Sequence, residues 1–386
     1  MKLKKLEYED KEYQWKLNPI EFSSNLNLLV GISGAGKTQI LKAIKRLKMI
    51  ANGISLNGVC WDVTFVTQDE NLYRWRGKFE TRQNNIIIKT IKTDSDEEDQ
   101  YKIIEEYLAK NDKSIIERTQ EKGIIFQDKL SPFKLSPFKS IIELLSEEED
   151  IKPVQQEFDK IIETESAKYL DNEGILILST NILKKYENCD VSEIKNDELP
   201  LPIKLALVYR YIPETFNRIK SVFIEIFEKV EDIKVEPFNQ DELPLALADI
   251  LKEAILIKIK EKDIEPWIRQ DNISSGMFKT LMYISELYLS PDNCVILIDE
   301  FENSLGVNCI DSVTELIVER EDLQFMITSH HPYIINNISP RYWKIVTRHG
   351  GLVTVKKAED FHISESRQKA FIDLINVLED EEDLED

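Results

Sequence analysis

The chain has 386 residues, of which 42% are hydrophobic and 31% charged, and a formal net charge of −21. That is roughly two to three domains' worth of chain, long enough for a sizeable core. A balance this acidic repels nucleic acid in bulk, so DNA contact needs a local basic patch or a basic partner.

In chain order, residues 2–8 and 13–17 read as strands around the polar turn Glu9-Asp10-Lys11-Glu12. Tyr8, Tyr13 and Trp15 there suit either strand packing or the stacking of an adenine. Leu26-Asn27-Leu28-Leu29-Val30 has the length of a buried strand. Gly31-Ile32-Ser33-Gly34-Ala35-Gly36-Lys37-Thr38 then fits G-x-x-x-x-G-K-[ST], the phosphate-binding P-loop. Gln39 opens a run in which Ile40, Leu41, Ile44 and Leu47 recur at helical spacing. Strand, glycine loop and helix is the context the motif requires. Glycines let the loop curl so that its N–H groups meet phosphate oxygens, and the helix N-terminus adds a favourable dipole. Lys37 is placed to reach the β- and γ-phosphates, and the Thr38 hydroxyl to ligate Mg²⁺.

Residues 61–79 again read strand-turn-strand, and residues 85–93 as a further strand. An acidic break, Asp94-Ser95-Asp96-Glu97-Glu98-Asp99, precedes a mixed, largely helical and charged stretch. Gly123-Ile124-Ile125-Phe126-Gln127 is a short apolar run within it. The tandem repeat Leu130-Ser131-Pro132-Phe133-Lys134 and Leu135-Ser136-Pro137-Phe138-Lys139 is a loop feature, too short for a solenoid. Helices are expected from Ser140 onward and over residues 216–230, where Phe216, Ile219, Phe223 and Phe227 keep an amphipathic spacing.

Ile273-Ser274-Ser275-Gly276-Met277 opens another helix with small residues. Cys294-Val295-Ile296-Leu297-Ile298 is a continuous apolar run ending in Asp299-Glu300. A buried parallel strand has this composition, and ligands bind at the carboxyl ends of such strands. Asp299 is then placed to hold Mg²⁺ and Glu300 to act as general base on water. Phe325-Met326-Ile327-Thr328-Ser329-His330-His331-Pro332 is a second such run. His330 directly follows it as a candidate γ-phosphate sensor, with His331 supporting the turn. Two further strands lie at residues 343–347 and 352–355, then a helix over 365–378. Seven acids among the last eight residues read as a solvated tail.

Lys2, Lys4 and Lys5, and the helix face Lys42, Lys45, Arg46 and Lys48, are the modest basic clusters, read as solvated faces. No stretch approaches the length of a membrane span and no apolar leader follows the charged start. Four scattered cysteines without a C-x-x-C pair fit a reducing, cytoplasmic setting.

These motifs in this order resemble the ABC-class ATPases, and the helical insertion and Thr-Ser-His-His-Pro ending resemble their soluble SMC-like and OLD-like branch. The resemblance implies an α/β ATPase head, with a β-rich N-terminal part, a mostly parallel core sheet and a largely helical insertion. The expected division is residues 1–93 with Walker A, 94–265 as insertion, and 266–386 with signature, Walker B and switch histidine. It implies ATP and Mg²⁺ as cofactors. Gly31, Ser33, Gly34, Ala35, Gly36, Lys37, Thr38 and Gln39 would cradle the nucleotide. Thr38, Asp299 and a Q-loop glutamine, Gln127 or else Gln68, would hold the metal. Glu300, His330 and Lys37 would carry the hydrolysis. Residues 273–277 look like a degenerate LSGGQ signature: Ser275 and Met277 replace its second glycine and glutamine, while Ser274 and Gly276 remain. In a head-to-head homo-oligomer these two would cap the γ-phosphate of a second subunit. Residues 302–306 stand where a D-loop belongs. The branch includes ATPase subunits of anti-phage systems such as Septu and PARIS, which work with a separate nuclease.

Overall fold

In the computed structural model the strand Leu26–Val30 is buried at every position. Such a strand needs partners on both edges and cover on both faces. The structure describes residues 1–82, 100–121, 123–127, 129–130, 134–164, 176–237, 254–303, 305, 307–364 and 367–382. The expected strand at 85–93, the acidic break at 94–99 and residues 131–133 of the tandem repeat lie outside them.

The strands are β1 (Lys2–Asp10), β2 (Trp15–Glu21), β3 (Leu26–Val30), β4 (Val59–Val66), β5 (Leu72–Phe79), β6 (Ile103–Lys110), β7 (Lys113–Thr119), β8 (Gly123–Phe126), β9 (Lys129–Leu130), β10 (Ile161–Glu163), β11 (Leu176–Ile177), β12 (Val230–Pro237), β13 (Ala254–Glu261), β14 (Ile268–Arg269), β15 (Val295–Ile298), β16 (Gln324–Thr328), β17 (Trp343–His349) and β18 (Leu352–Lys357). The chain divides into two units. One comprises Met1–Glu163, Asn293–Glu300 and Glu321–Asp386, the other Thr164–Asp292 and Phe301–Arg320.

The first unit is built on a 14-stranded sheet in the order β10-β15-β16-β3-β17-β18-β2-β1-β4-β5-β6-β7-β8-β9. From β10 to β17 neighbours are parallel. From β2 to β9 they are antiparallel. The two halves show the two patterns that their surroundings demand. β15 and β16 are buried at every residue, whereas β4 alternates buried and half-buried positions. The inward face of the antiparallel half carries Trp61, Phe65 and Trp75, which meet one another or Phe158 of the helix Lys152–Asp159 in edge-to-face contacts at 5.0–5.2 Å. The helix Lys37–Ala51 buries Ile40, Leu41, Ala43, Ile44 and Leu47, each fully buried Leu or Ile contributing on the order of 2 kcal/mol.

Residues 94–265, expected to be one largely helical insertion, are divided. Residues 103–130 carry β6–β9, which extend the large sheet. Cross-strand pairs such as Arg76–Tyr107 hold them there, with the guanidinium 4.7 Å from the ring centroid. The helix begun by Ser140 is only Ile141–Leu144. Ser140 Oγ accepts from Ile142 N, but Glu147-Glu148-Glu149-Asp150 follow at the end where the helix dipole disfavours acids.

The second unit packs Leu201–Tyr211, Pro213–Ile226 and Ser275–Leu289 around Leu205, Ile219, Phe223, Phe278 and Leu281. Its sheet has the order β11-β13-β12, with β14 paired to β13. The signature-like helix, expected within the C-terminal half of the head, therefore belongs to this unit. The C-terminal helix of the first unit runs Arg367–Glu382, into the block read as a solvated tail. Residues 383–386 lie outside the described residues. No described helix is long and apolar enough to cross a membrane.

Candidate functional site

Strand register brings the two acidic and hydroxyl-bearing strand ends to the P-loop. Thr328 pairs with Leu29, two residues before Gly31, and Ile298 pairs with Ile327, so Asp299 follows beside Thr328. Gly31 packs so close to β17 that a Cβ there would lie 2.4 Å from the Val346 carbonyl oxygen. Gly36 caps the helix Lys37–Ala51 with φ 101°, in the left-handed region. No acid occupies the first turn of that helix, so its N-terminus is a ready anion site.

Lys37 Nζ donates to the carbonyls of Gly31 and Ile32, both at 2.8 Å. The ammonium thus lies over the loop itself, where phosphate oxygens would compete for its protons. Ser33 and Gly34 are exposed, Lys37, Thr38 and Gln39 half-buried, and Ala35 and Gly36 buried.

The structure brings Thr38 and Asp299 together. Thr38 Oγ1 donates to Asp299 Oδ1 at 3.1 Å. A second hydroxyl, Thr328 Oγ1, donates to the same carboxylate oxygen at 2.6 Å. Thr328 Oγ1 in turn accepts from the Glu300 backbone N–H at 2.7 Å. Glu300 is exposed, and its φ of 49° places it in the left-handed region, uncommon for a residue with a side chain of this length. Hydroxyl and carboxylate are hard oxygen donors, the set Mg²⁺ prefers when phosphates and water complete the sphere. Among the described residues no group of three His, Cys, Asp or Glu forms a self-sufficient metal site.

Thr328 is the residue that motif reading missed. In the sequence it ends an apolar run and opens Thr-Ser-His-His-Pro, with no role of its own; the register of β15, β16 and β3 gives it one. His330 is exposed at the end of β16, after Ser329, whose N–H bonds Leu29 O at 3.4 Å. His331 Nδ1 accepts from Tyr333 N at 3.3 Å and starts the helix Pro332–Asn337.

Gln127 is not brought to Thr38 and Asp299. It sits in the turn between β8 and β9, the last two of the fourteen strands, with φ 48°. The strand beside β15 is β10, which ends at Glu163 paired with Lys45. Gln68, the alternative, bonds Glu157 Oε1 through its N–H and accepts from Lys160 Nζ at 3.3 Å. Lys160 O meets Val295 N, at the strand end opposite Asp299. Neither glutamine therefore lines the Thr38–Asp299 pair.

Ser274 and Gly276 belong to the second unit. Exposed Ser274 caps the helix Ser275–Leu289, its Oγ accepting from Met277 N at 3.3 Å, and Thr280 Oγ1 donates to Gly276 O at 2.8 Å. Lys279 Nζ donates to Asn303 O at 3.3 Å in the D-loop position. Ser304 and Gly306 lie outside the described residues.

Tyr8 and Trp15 are buried and stacked at 5.3 Å, while Tyr13 is exposed at the β1–β2 turn. Of the basic cluster Lys42, Lys45, Arg46 and Lys48 on the P-loop helix, three have partners within the chain. Lys45 pairs with Glu163, Arg46 with Asp10, and Lys48 Nζ donates to the carbonyls of Asp159 and Ile161.

A P-loop in the parallel half of the sheet, with its threonine bonded to the aspartate just past β15, two strands from β3, defines an ATP-binding P-loop ATPase head. The sequence profile of one family matches residues 26–336. The chain belongs to that family, described as "AAA domain, putative AbiEii toxin, Type IV TA system". Its fold is that of an SMC head. It is similar to an SMC head solved bound to the C-winged helix domain of ScpA, with 12% identity, TM-score 0.52, and coverage of 93% of this chain and 99% of that one. The SMC head of Thermotoga maritima aligns at 14% identity and TM-score 0.42, over 92% and 99% of the two chains. An SMC head with coiled coil and joint from Pyrococcus yayanosii aligns at 11% and 0.46, over 98% and 99%. No protein of curated function matches the chain.

Proposed function

We propose that the chain hydrolyses ATP in a site shared between two copies, and that the nucleotide state switches a separate effector, a nuclease, in anti-phage defence. The observation that carries the reading is the chain of contacts Thr38–Asp299–Thr328–Glu300 at the mouth of the P-loop. Bound Mg²⁺ supplies charge neutralisation at the β- and γ-phosphates. Thr38 and Asp299 hold it, Lys37 turns from the loop carbonyls to the phosphates, and the loop N–H groups orient them. Glu300 takes a proton from the attacking water, and His330 donates to the γ-phosphate. Ser274 and Gly276 of a second copy close the site. The γ-phosphate then makes the contact that differs between the two states, which is what a switch requires.

The family description supports the defence setting, since it names a toxin–antitoxin system. Net charge of −21 and the internal pairing of Lys45, Arg46 and Lys48 favour a switch over a DNA clamp. The test is the solution mass of Glu300→Gln by light scattering, with and without ATP–Mg²⁺. A doubling with nucleotide is expected. A monomer at saturating ATP rejects the two-copy site, and a fixed oligomer without ATP favours an assembly scaffold.

A further inference from the structure

We infer that Thr328 is a positioning residue for both acids at the end of β15: one hydroxyl aims the Asp299 carboxylate and pins the Glu300 backbone. Resting on the ATPase reading above, this gives a role to a residue in the neighbouring strand to which the sequence reading assigns none.

Thr328 is 1% exposed and closes β16. A hydroxyl has one proton and two lone pairs. Here the proton goes to Asp299 Oδ1 at 2.6 Å, and a lone pair takes the Glu300 N–H at 2.7 Å. The two residues it touches are consecutive, and their backbone turns between them. Asp299 follows the last paired residue of β15, and Glu300 has left-handed φ. That turn sends Asp299 toward Thr38 and leaves Glu300 exposed. A left-handed glutamate persists only where its surroundings hold it, and the Thr328 hydroxyl supplies the hydrogen bond to its N–H.

Asp299 Oδ1 receives two hydroxyl protons, from Thr38 and Thr328. The two donors differ in kind. Thr38 belongs to the P-loop helix and would itself bind Mg²⁺. Thr328 belongs to the sheet, buried at the end of β16, and is not offered to the metal. It therefore fixes the carboxylate before the metal arrives, as partners of metal ligands commonly do. The same oxygen registers Glu300 against that carboxylate, so metal ligand and general base are set by one atom.

The test compares Thr328→Val, Thr328→Ala and Thr328→Ser with the unaltered full chain. Removing the hydroxyl is expected to raise the Mg²⁺ concentration for half-maximal turnover and to lower kcat, each by about 10-fold or more. ATP binding in EDTA should stay within about twofold, since that binding draws on the loop and Lys37. Serine should restore both quantities. Amide exchange at Glu300, followed without nucleotide, should accelerate in Val and Ala but not in Ser. If Val fails to fold, Ala against Ser isolates the hydroxyl. Unchanged Mg²⁺ dependence and kcat in Val or Ala would overturn the inference, as would a Ser variant no better than Ala. If the unaltered protein neither binds nor hydrolyses ATP, the ATPase reading fails. The Glu300 exchange rate then still decides: equal protection in Val, Ala and Ser rejects Thr328 as the anchor.

Discussion

The Thr38 hydroxyl and the Asp299 carboxylate, 261 residues apart in sequence, meet at 3.1 Å. Motif order suggested their partnership, and the parallel register of β15, β16 and β3 produces it. Thr38→Val and Asp299→Asn should each weaken Mg²⁺–nucleotide binding. The double variant should lose less than the sum, with a coupling of about 1 kcal/mol as residues in direct contact show. Lys37→Ala should cost more, about 10- to 100-fold in affinity, the range of a charged hydrogen bond. Titration with a fluorescent ATP analogue, in Mg²⁺ and in EDTA, reads all four proteins. Strict additivity at Thr38 and Asp299 would show that the pair does not act as one site.

Glu300 ends its strand exposed, one residue beyond the metal-side carboxylate. In the general-base role proposed above, it would contribute to turnover and not to ground-state binding. Glu300→Gln should lower kcat by about 10²- to 10⁴-fold, the usual range for general-base catalysis. Its ATP affinity should remain within about twofold. Phosphate release under single-turnover conditions, beside equilibrium ATP binding, separates the two. A variant that hydrolyses at the original rate would remove Glu300 from the chemistry.

Legibility in the sequence followed how local each signal was. The P-loop was readable because strand, loop and helix are contiguous, and Asp299-Glu300 because a buried parallel strand leaves a continuous apolar run. Thr328 was not, because its importance comes from a neighbour across the sheet. β10 is three residues long and too short to show a period, so the strand flanking β15 was missed and Gln127 was given a place that its turn does not occupy. The strands β6 and β7 were hidden for a different reason. Glu106 and Arg118 break the apolar alternation on the inward face, yet both are buried there. Glu106 accepts from Trp75 Nε1, Ser140 Oγ and Ile141 N, while Arg118 donates to Ser136 and Lys139 carbonyls. Burial still raises the Glu106 carboxyl above its ordinary pKa. Polar residues inside a lobe look like helix or loop until their partners are known.

Gly77 opposes Trp61 across β4 and β5. A Cβ built there would lie 2.4 Å from the indole ring of Trp61, which is packed in turn against Trp75 and Phe79. The ring cannot retreat without displacing both neighbours. Gly77→Ala should therefore destabilise the first unit by about 1–3 kcal/mol, the cost of overpacking a filled core. Gly34→Ala, where no atom lies within 4 Å, should meet no such clash. Its effect should come from φ 87° alone, about 1 kcal/mol. Urea unfolding followed by tryptophan fluorescence compares them. A Gly77→Ala midpoint equal to that of the unaltered protein would mean that Trp61 has room the structure does not show.

Lys344 lies on β17, 2% exposed, opposite Leu29 of the strand that feeds the P-loop. Burial pulls its ammonium down from 10.5 to about 8; Lys357 lowers it further, while Glu21, Glu359 and Asp360 oppose the shift. Below pH 8 the folded protein carries this buried charge at a cost. Between pH 8 and 10.5 the folded state has released the proton and the unfolded chain still holds it. The unfolded state then binds more protons, so stability rises with pH across that window. Lys344→Met keeps the volume and removes the charge. It should stabilise the protein at pH 7 by about 1–3 kcal/mol, with the gain shrinking toward zero by pH 10.5. Lys2, also drawn down to about 8 by burial, leaves part of the alkaline rise in place. Urea midpoints of both proteins at pH 7, 8.5 and 10 give the comparison. A difference between them that stays constant with pH would show that Lys344 keeps its proton in the folded state.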